Sequence, residues 1–303
     1  MKASALRPTI AIVTVRKDLN IERTGISKAE QLASSRREPV LGKKGAATSP
    51  AELLEKREPG GITRLTLNRP HAYNGLTHSL LQLLVDKLEE ITDDDAVRVV
   101  VLEGAGEHFC GGADHKALAD SASVQNTDAF YRLLARAMVA ISHMRQPVIA
   151  RVGGLAASEG CQIVAGCDLA VAARSAKFAL PDINAGLACA LPMVALARVI
   201  GPKRTMDMAL AGTVLDAEEA LSTGLVGRLA FDYELDKVCL DLARHISSLP
   251  RAAVAGTKEA LVKQSDASLT QAYADACQIM TRYSKQSTNA KKPSPIQARR
   301  LGD

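Results

Sequence analysis

PVIARVGGLAASEGCQIVAGCD, residues 147–168, is the stretch that decides the fold. An apolar run is followed by a turn of small residues and then by a helical segment. A second stretch, HFCGGADHKAL at 108–118, has the same strand, small-residue turn and helix. The first amides of a helix lack partners within it and carry the positive end of its dipole. Two such turns facing each other would form a backbone socket for a developing negative charge.

The composition bounds the class of protein. The 303 residues are 47% hydrophobic and 23% charged, which is ordinary for a globular chain that buries a sizeable core. Trp is absent and aromatic residues make up 3%, which argues against nucleic-acid binding on aromatic platforms. The net charge of +5 favours an anionic small ligand over a nucleic-acid groove. No apolar run approaches the ~20 residues that cross a bilayer, so we expect no membrane span.

Six cysteines are distributed along the chain without the spacing of a metal site. No pair has C-x-x-C spacing, and no histidine follows at zinc-finger distance. Most of them have apolar neighbours, as buried free thiols in a reducing compartment do. The sequence therefore predicts no metal.

The two ends differ from the rest of the chain. Residues 1–50 are polar, rich in Lys and Arg, and without helical period, which predicts a basic, disordered extension. A cleaved targeting segment is the alternative, because the first 17 residues carry four basic residues and no acid. The predicted localisation is accordingly the mitochondrial matrix or the cytoplasm. Residues 287–303 predict a second basic tail.

Between these ends, strands and helices alternate. Hydrophobic period predicts strands within 61–70, 97–103, 147–152 and 168–173, and helices after Thr77 and around 129–144. This repetition predicts an α/β fold in which helices cover a sheet. Beyond Leu191 the pattern becomes helical. The predicted helices there are 192–200, 203–211, 216–223, 232–249 and 253–284.

In these segments the chain resembles the crotonase superfamily, which comprises the enoyl-CoA hydratases and isomerases. Five segments match in order, at 66–77, 99–118, 147–187, 199–212 and 215–229. The resemblance implies a crotonase (ClpP/crotonase-like) ββα spiral over residues 51–230 and a C-terminal helical trimerisation region over 231–286. It also implies a homotrimer or dimer of trimers, an acyl-CoA thioester as substrate, and no separate cofactor.

The resemblance also implies an oxyanion hole. In the family, two backbone amides hold the thioester carbonyl as it becomes an enolate, and by alignment these belong to Ala113 and Glu159. The family usually has Gly where Glu159 stands. A carboxylate beside a developing oxyanion is electrostatically adverse unless it turns away, in which case its amide still serves.

Two positions match the family's catalytic acids. Hydratases hold a water between two carboxylates, and here those positions are Gln162 and Asp182. Gln holds water but takes no proton at neutral pH, and Asp is shorter than Glu by ~1.5 Å. The residues therefore favour an isomerase-type proton shuttle through Asp182 over hydration. Two alternatives remain, a polar surface or capping role for Asp182 and a catalytically weak acyl-CoA-binding or regulatory protein.

The remaining assignments concern substrate binding. The segment 71–76 matches the family's nucleotide-side loop but lacks the usual basic residue. Asp114 is interpreted as a helix cap rather than an acid. Lys116 is interpreted as a partner for the phosphates and Cys189 as lining of the acyl pocket. The predicted substrate-binding residues are Ala72, Asn74, Gly75, Gly112, Lys116 and Cys189.

Overall fold

The computed structural model describes residues 51–120 and 124–287, and the side chains of 51–118 and 126–284. Its strands are β1 (Leu53–Glu58), β2 (Ile62–Leu67), β3 (Val99–Gly104), β4 (Val148–Val152), β5 (Leu155–Ala157), β6 (Leu169–Ala173), β7 (Lys177–Ala179), β8 (Leu215–Asp216) and β9 (Arg228–Ala230). Its α-helices are α1 (His78–Asp93), α2 (His115–Asp120), α3 (Val124–His143), α4 (Glu159–Gly166), α5 (Ala190–Val199), α6 (Pro202–Met206), α7 (Ala217–Ser222), α8 (Leu235–Ser248), α9 (Arg251–Gln264) and α10 (Leu269–Ser287). The predicted extension 1–50, and the predicted tail beyond residue 287, lie outside the described residues.

The main sheet has six strands in the order β1-β2-β3-β4-β6-β9. Strand β1 is antiparallel to β2, and every other neighbouring pair is parallel. Since the carboxyl ends of parallel strands meet at one edge, the turns after β3 and β4 lie on the same side of the molecule. Strands β5, β7 and β8 form a smaller sheet, in which β5 lies between β4 and the turn at Ser158. The predicted α/β fold is confirmed.

Strand β3 is buried at every position from Val99 to Leu102, as its β-branched sequence requires of a central parallel strand. Helix α1 covers the sheet with one apolar face and begins at the predicted cap, because Thr77 Oγ1 accepts from Leu80 N at 3.1 Å. The large core side chains include Phe109, Phe130 and Phe178, all fully buried.

The helix predicted over 203–211 is α6 followed by a π-helical turn at Asp207–Ala211. The larger difference from the prediction lies in the last helices. The single helix predicted over 253–284 is two, α9 and α10, which form an antiparallel hairpin with a break at residues 265–268. The helices meet where Gly256 faces Tyr283, so closely that a Cβ on Gly256 would lie 2.5 Å from Tyr283 Cδ2. The break exists because this packing requires the chain to return, and Ser268 Oγ then accepts from Gln271 N to start α10.

Helix α8 packs on the main sheet although it falls in the region predicted for trimerisation. Arg64 on β2 and Arg151 on β4 both contact Asp236 of α8, at 2.6 Å and 3.2 Å. The described residues 51–120 and 124–287 thus belong to one compact unit that includes α8. Among the described helices, none combines the length and the apolar character needed to cross a membrane.

Candidate active site

The two small-residue turns meet at the carboxyl edge of the sheet. Cys110 forms a parallel bridge with Ala156, and Ala157 N donates to Cys110 O at 2.9 Å. The approach is so close that a Cβ on Gly160 would collide with Cys110 O, which explains a glycine there. His108 adds a link, because its Nδ1 accepts from Leu155 N at 3.2 Å. The sequence indicated both turns but not this histidine bridge.

Ser158 opens the second turn in a strained conformation. Its φ of 49° and ψ of −117° lie in a region that residues with a side chain seldom adopt. Such a residue costs about 1–3 kcal/mol and persists only when its surroundings hold it in place. Here Ser158 N donates to Ala179 O at 3.0 Å, and its hydroxyl donates to Asp182 Oδ2 at 2.9 Å. This backbone conformation of Ser158 sets the direction in which helix α4 begins.

The side chain of Glu159 does not turn away from the predicted oxyanion amides. Its Oε2 accepts from Ala113 N at 2.8 Å, and the Glu159 backbone amide also favours the charged form of the carboxylate. The residue is 3% exposed, and this burial raises its pKa although the two amides act in the opposite direction. Of the two arrangements, the structure shows the carboxylate at the amides rather than turned away from them. The positive amides attract it, and burial leaves it little water to turn to.

Asp182 lies beside this carboxylate and is itself buried, with 6% exposure. It follows Pro181 and begins the short 3-10 turn Asp182–Ala185. Cys189 lies near it, and burial first, then the Asp182 charge, raises the pKa of Cys189 to about 12. Asp182 is therefore a buried carboxylate hydrogen-bonded to Ser158, and a position on the exposed surface is excluded.

Gln162 lies one turn along α4, with 2% exposure. Its Oε1 is buried and accepts no hydrogen bond from the described residues. The structure thus brings Asp182, Glu159 and Ala113 into one region, and Gln162 lies in the same helix as Glu159. Tyr131 of α3 lies near the same carboxylates. Burial first, and then the charges of Glu159 and Asp182, raise the pKa of its hydroxyl. Nothing in the sequence around Tyr131 pointed to this position.

The predicted nucleotide-side residues divide into two groups. Asn74 is fully buried, and its amide holds the loop: Nδ2 donates to Ala105 O at 2.9 Å and to His108 O at 2.8 Å, and Oδ1 accepts from Arg69 N. Its side chain therefore positions the backbone and has no polar group left for a ligand. Tyr73, by contrast, is 56% exposed and stacks on His108 with ring centroids 5.0 Å apart.

The other predicted binding residues surround the first turn. Ala72 is half-buried and Gly75 is buried, and Gly75 N donates to Ala72 O at 2.8 Å. Gly112 has a φ of 99°, and a Cβ there would lie 2.8 Å from Ser158 Cβ, so this position requires glycine. Lys116 is exposed near the start of α2. Asp114 caps that helix, since its Oδ1 accepts from Ala117 N at 3.1 Å, as expected.

The comparisons with known proteins agree with this geometry. Residues 57–297 match the family model described as enoyl-CoA hydratase/isomerase. Enoyl-CoA hydratase domain-containing protein 3 of Mus musculus, which is named as mitochondrial, is 33% identical over 241 residues, covering 79% of this chain and 80% of that protein. The crystal structure of the human protein of that name has a TM-score of 0.75 and 32% identity, covering 80% of this chain and 100% of that one.

A third match is the crystal structure of an enoyl-CoA hydratase from Mycobacterium smegmatis. Its TM-score is 0.75 and its identity 39%, covering 77% of this chain and 90% of that one. The fold is therefore the crotonase fold that the five sequence segments implied. The chain belongs to the enoyl-CoA hydratase/isomerase family.

Proposed function

We propose that this protein is an enzyme of fatty-acid metabolism that acts on acyl-CoA thioesters through an enolate, by an isomerase-type proton shuttle rather than hydration. The observation that carries the proposal is the buried carboxylate of Asp182, held by Ser158 Oγ at 2.9 Å beside the two turns. At Gln162, where the family's hydratases have an acid, the side chain takes no proton. A single carboxylate is sufficient to move a proton between two carbons.

The proposed isomerisation moves one proton and needs no separate cofactor, since the CoA thioester is itself the substrate. Asp182 takes a proton from the carbon between the thioester carbonyl and the double bond of a 3-enoyl-CoA. The electrons of that C–H bond pass into a dienolate, whose oxygen the Ala113 and Glu159 amides hold. Such donors are worth ~3–4 kcal/mol each. Protonated Asp182 then gives the proton to the far carbon of the dienolate, and the product is a 2-enoyl-CoA.

The CoA portion would lie along the first turn. Ala72 and Gly75 offer backbone there, Gly112 lets the two turns approach each other closely, and Lys116 supplies a positive charge for the phosphates. Cys189 would line the acyl pocket next to Asp182. Its buried thiol, with a pKa raised to about 12, is a poor nucleophile at neutral pH, which supports lining over covalent chemistry.

The test is a spectrophotometric assay of purified protein with a 3-enoyl-CoA, following the absorbance of the conjugated enoyl thioester. We expect the absorbance to rise with wild type and to stay flat with Asp182→Asn. Asp241→Asn, on the exposed face of α8, is the matched control and should keep the wild-type rate. Loss of absorbance from crotonyl-CoA would instead indicate hydration, with Gln162 as the water-holding residue.

The second candidate is a catalytically weak acyl-CoA-binding or regulatory protein. Two observations favour it: the Glu159 carboxylate occupies the Ala113 amide, and Gln162 replaces an acid. Binding of an acyl-CoA without turnover of either the 3-enoyl or the 2-enoyl substrate would establish this function and contradict the enzymatic one.

The proposed assembly is a homotrimer or a dimer of trimers. Helix α10 supports it, because Leu269, Tyr273 and Met280 expose 75%, 69% and 72% of their surface. Light scattering behind size-exclusion chromatography should give three or six chains, and a monomer would contradict the proposal. For localisation, the mitochondrial matrix and the cytoplasm both stay predictions, which imaging of the tagged full-length chain would separate.

A further inference from the structure

The two amides assigned to the oxyanion hole already hold an anion, and this anion belongs to the chain. Glu159 Oε2 accepts from Ala113 N at 2.8 Å. The Glu159 backbone amide, on the other turn, also favours the charged form of the same carboxylate. One carboxylate therefore lies where both turns offer an amide to an anion.

A thioester oxygen and this carboxylate compete for the same donor. An amide hydrogen makes one strong hydrogen bond, so Ala113 N–H cannot serve both acceptors. The carboxylate is also closely packed, since a Cβ on Gly112 would lie 2.9 Å from its Oε2. A thioester carbonyl can therefore reach the Ala113 amide only after the Glu159 side chain has left it.

When the Glu159 carboxylate leaves the amides, it loses interactions that stabilise its ionised form. With 3% of Glu159 exposed, the two amides are its principal hydrogen-bond donors, and the neighbouring Asp182 carboxylate repels it. His115, on α2, is the facing group that favours the charged form. The remaining titratable neighbours are neutral at pH 7, since burial raises their pKa values; they are Tyr131, Cys110 and Cys189. Without the amides, the ionised form loses its main stabilisation and takes a proton from solvent.

We propose that the Glu159 carboxylate is a displaceable internal ligand of the Ala113 and Glu159 amides, and that binding of an acyl thioester releases it with uptake of a proton. This inference rests on the proposed acyl-CoA ligand. It gives the site a pH-dependent affinity: the thioester binds more tightly as the pH falls, because the protonated side chain competes less for the amides.

The experiment is isothermal titration calorimetry of the full-length protein with butyryl-CoA, a saturated thioester without a double bond to isomerise. Titrations between pH 6.5 and 8.5, in two buffers of different ionisation enthalpy, give the number of protons taken up. Free CoA is the matched control ligand, because it carries the same phosphates and adenine but no thioester carbonyl. We expect the protein to bind up to about one proton more with butyryl-CoA than with free CoA. The Kd for butyryl-CoA should rise by up to about tenfold per pH unit.

Two variants separate the carboxylate from the rest of the site. Glu159→Gly removes the competing group and should bind butyryl-CoA at pH 8 about tenfold or more tightly than wild type, since a hydrogen bond to a charged group no longer has to be broken. Glu159→Gln keeps the size of the side chain but does not titrate, so it tests the proton uptake if the glycine variant fails to fold. Both variants should lose the extra proton.

The outcomes distinguish this inference from the proposed function. Butyryl-CoA binding with no proton uptake beyond that of free CoA, or with equal uptake by wild type and both variants, would overturn the inference and leave the acyl-CoA function standing. Binding by Glu159→Gly but not by wild type at pH 8 would support the inference strongly. Failure of all three proteins to bind any acyl-CoA would overturn the proposed ligand and the inference together.

Discussion

Lys258 fastens the C-terminal helical hairpin to the core, and its removal is the sharpest test of the fold. It lies on helix α9 with 7% exposure, and its Nζ donates to Ile141 O at 2.7 Å, Gln146 O at 3.0 Å and Asp168 Oδ2 at 2.7 Å. The same Asp168 oxygen accepts from Val148 N at 2.7 Å, at the start of β4. The three hydrogens of the ammonium group thus meet three acceptors.

Lys258→Met keeps the length of the stem and removes the charge. Breaking a buried ion pair by deleting one partner costs about 3–5 kcal/mol, because the other charge stays buried without compensation. The Asp168 side chain is 21% exposed, so water relieves part of this loss. We therefore expect the free energy of unfolding to fall by about 3 kcal/mol. That corresponds to a melting temperature lower by roughly 6–12 °C.

The assay is urea unfolding at fixed protein concentration, followed by far-UV circular dichroism because the chain has no Trp. Lys263→Met is the control, since Lys263 lies on the same helix and pairs with Glu259 at 3.0 Å with 47% of its side chain exposed. We expect that variant to stay within about 0.5 kcal/mol of wild type. Equal losses in the two variants would refute the role of the buried contacts.

Two further predictions concern the site. Gly112→Ala places a Cβ 2.8 Å from Ser158 Cβ at a φ of 99°, and should lower the free energy of unfolding by about 1–3 kcal/mol and weaken acyl-CoA binding. Gly186→Ala, with a φ of 75° and open space around it, should lose less; the reverse order would contradict the steric argument. Because burial raises the pKa of Glu159 above 4.5, this side chain ionises at a lower pH in the unfolded chain than in the folded protein. The free energy of unfolding therefore falls as the pH rises from 4.5 through the folded-state pKa, and this effect is absent below 4.5. The stability of wild type relative to Glu159→Gln should therefore decline from pH 4.5 upward in urea titrations, and a constant difference would show that the carboxylate is not buried in solution.

The sequence predicts the frame of this site because the frame depends on chain order. Helices between the apolar runs require parallel strands, and parallel strands bring the turns at Gly112 and Gly160 to the same edge of the sheet. The cap at Thr77 is predictable for a similar reason, since it depends only on neighbouring residues. Helix caps and the parallel order of strands can both be inferred from a single sequence.

The parts that the sequence does not predict depend on contacts between distant residues. Strand β1, LLEKRE, alternates poorly and forms because it pairs with β2 across a tight turn. The break between α9 and α10 is absent from the hydrophobic period, and it appears because Tyr283 packs on Gly256. The bond from Ser158 Oγ to Asp182 joins residues 24 positions apart, which meet beyond the carboxyl ends of the paired strands β5 and β7.

Glu159 shows most clearly which property belongs to the backbone and which to a side chain. The glycines at 112 and 160 are required by close backbone approach, and the predicted socket between the two turns holds the Glu159 carboxylate. A carboxylate on the first residue of α4 has the reach to enter that socket, because one of the two amides is its own. A change at residue 159 therefore decides whether the socket is open or self-occupied, while the strands and turns around it stay the same. Resemblance to a family identifies the socket, but only the direction of this side chain identifies its occupant.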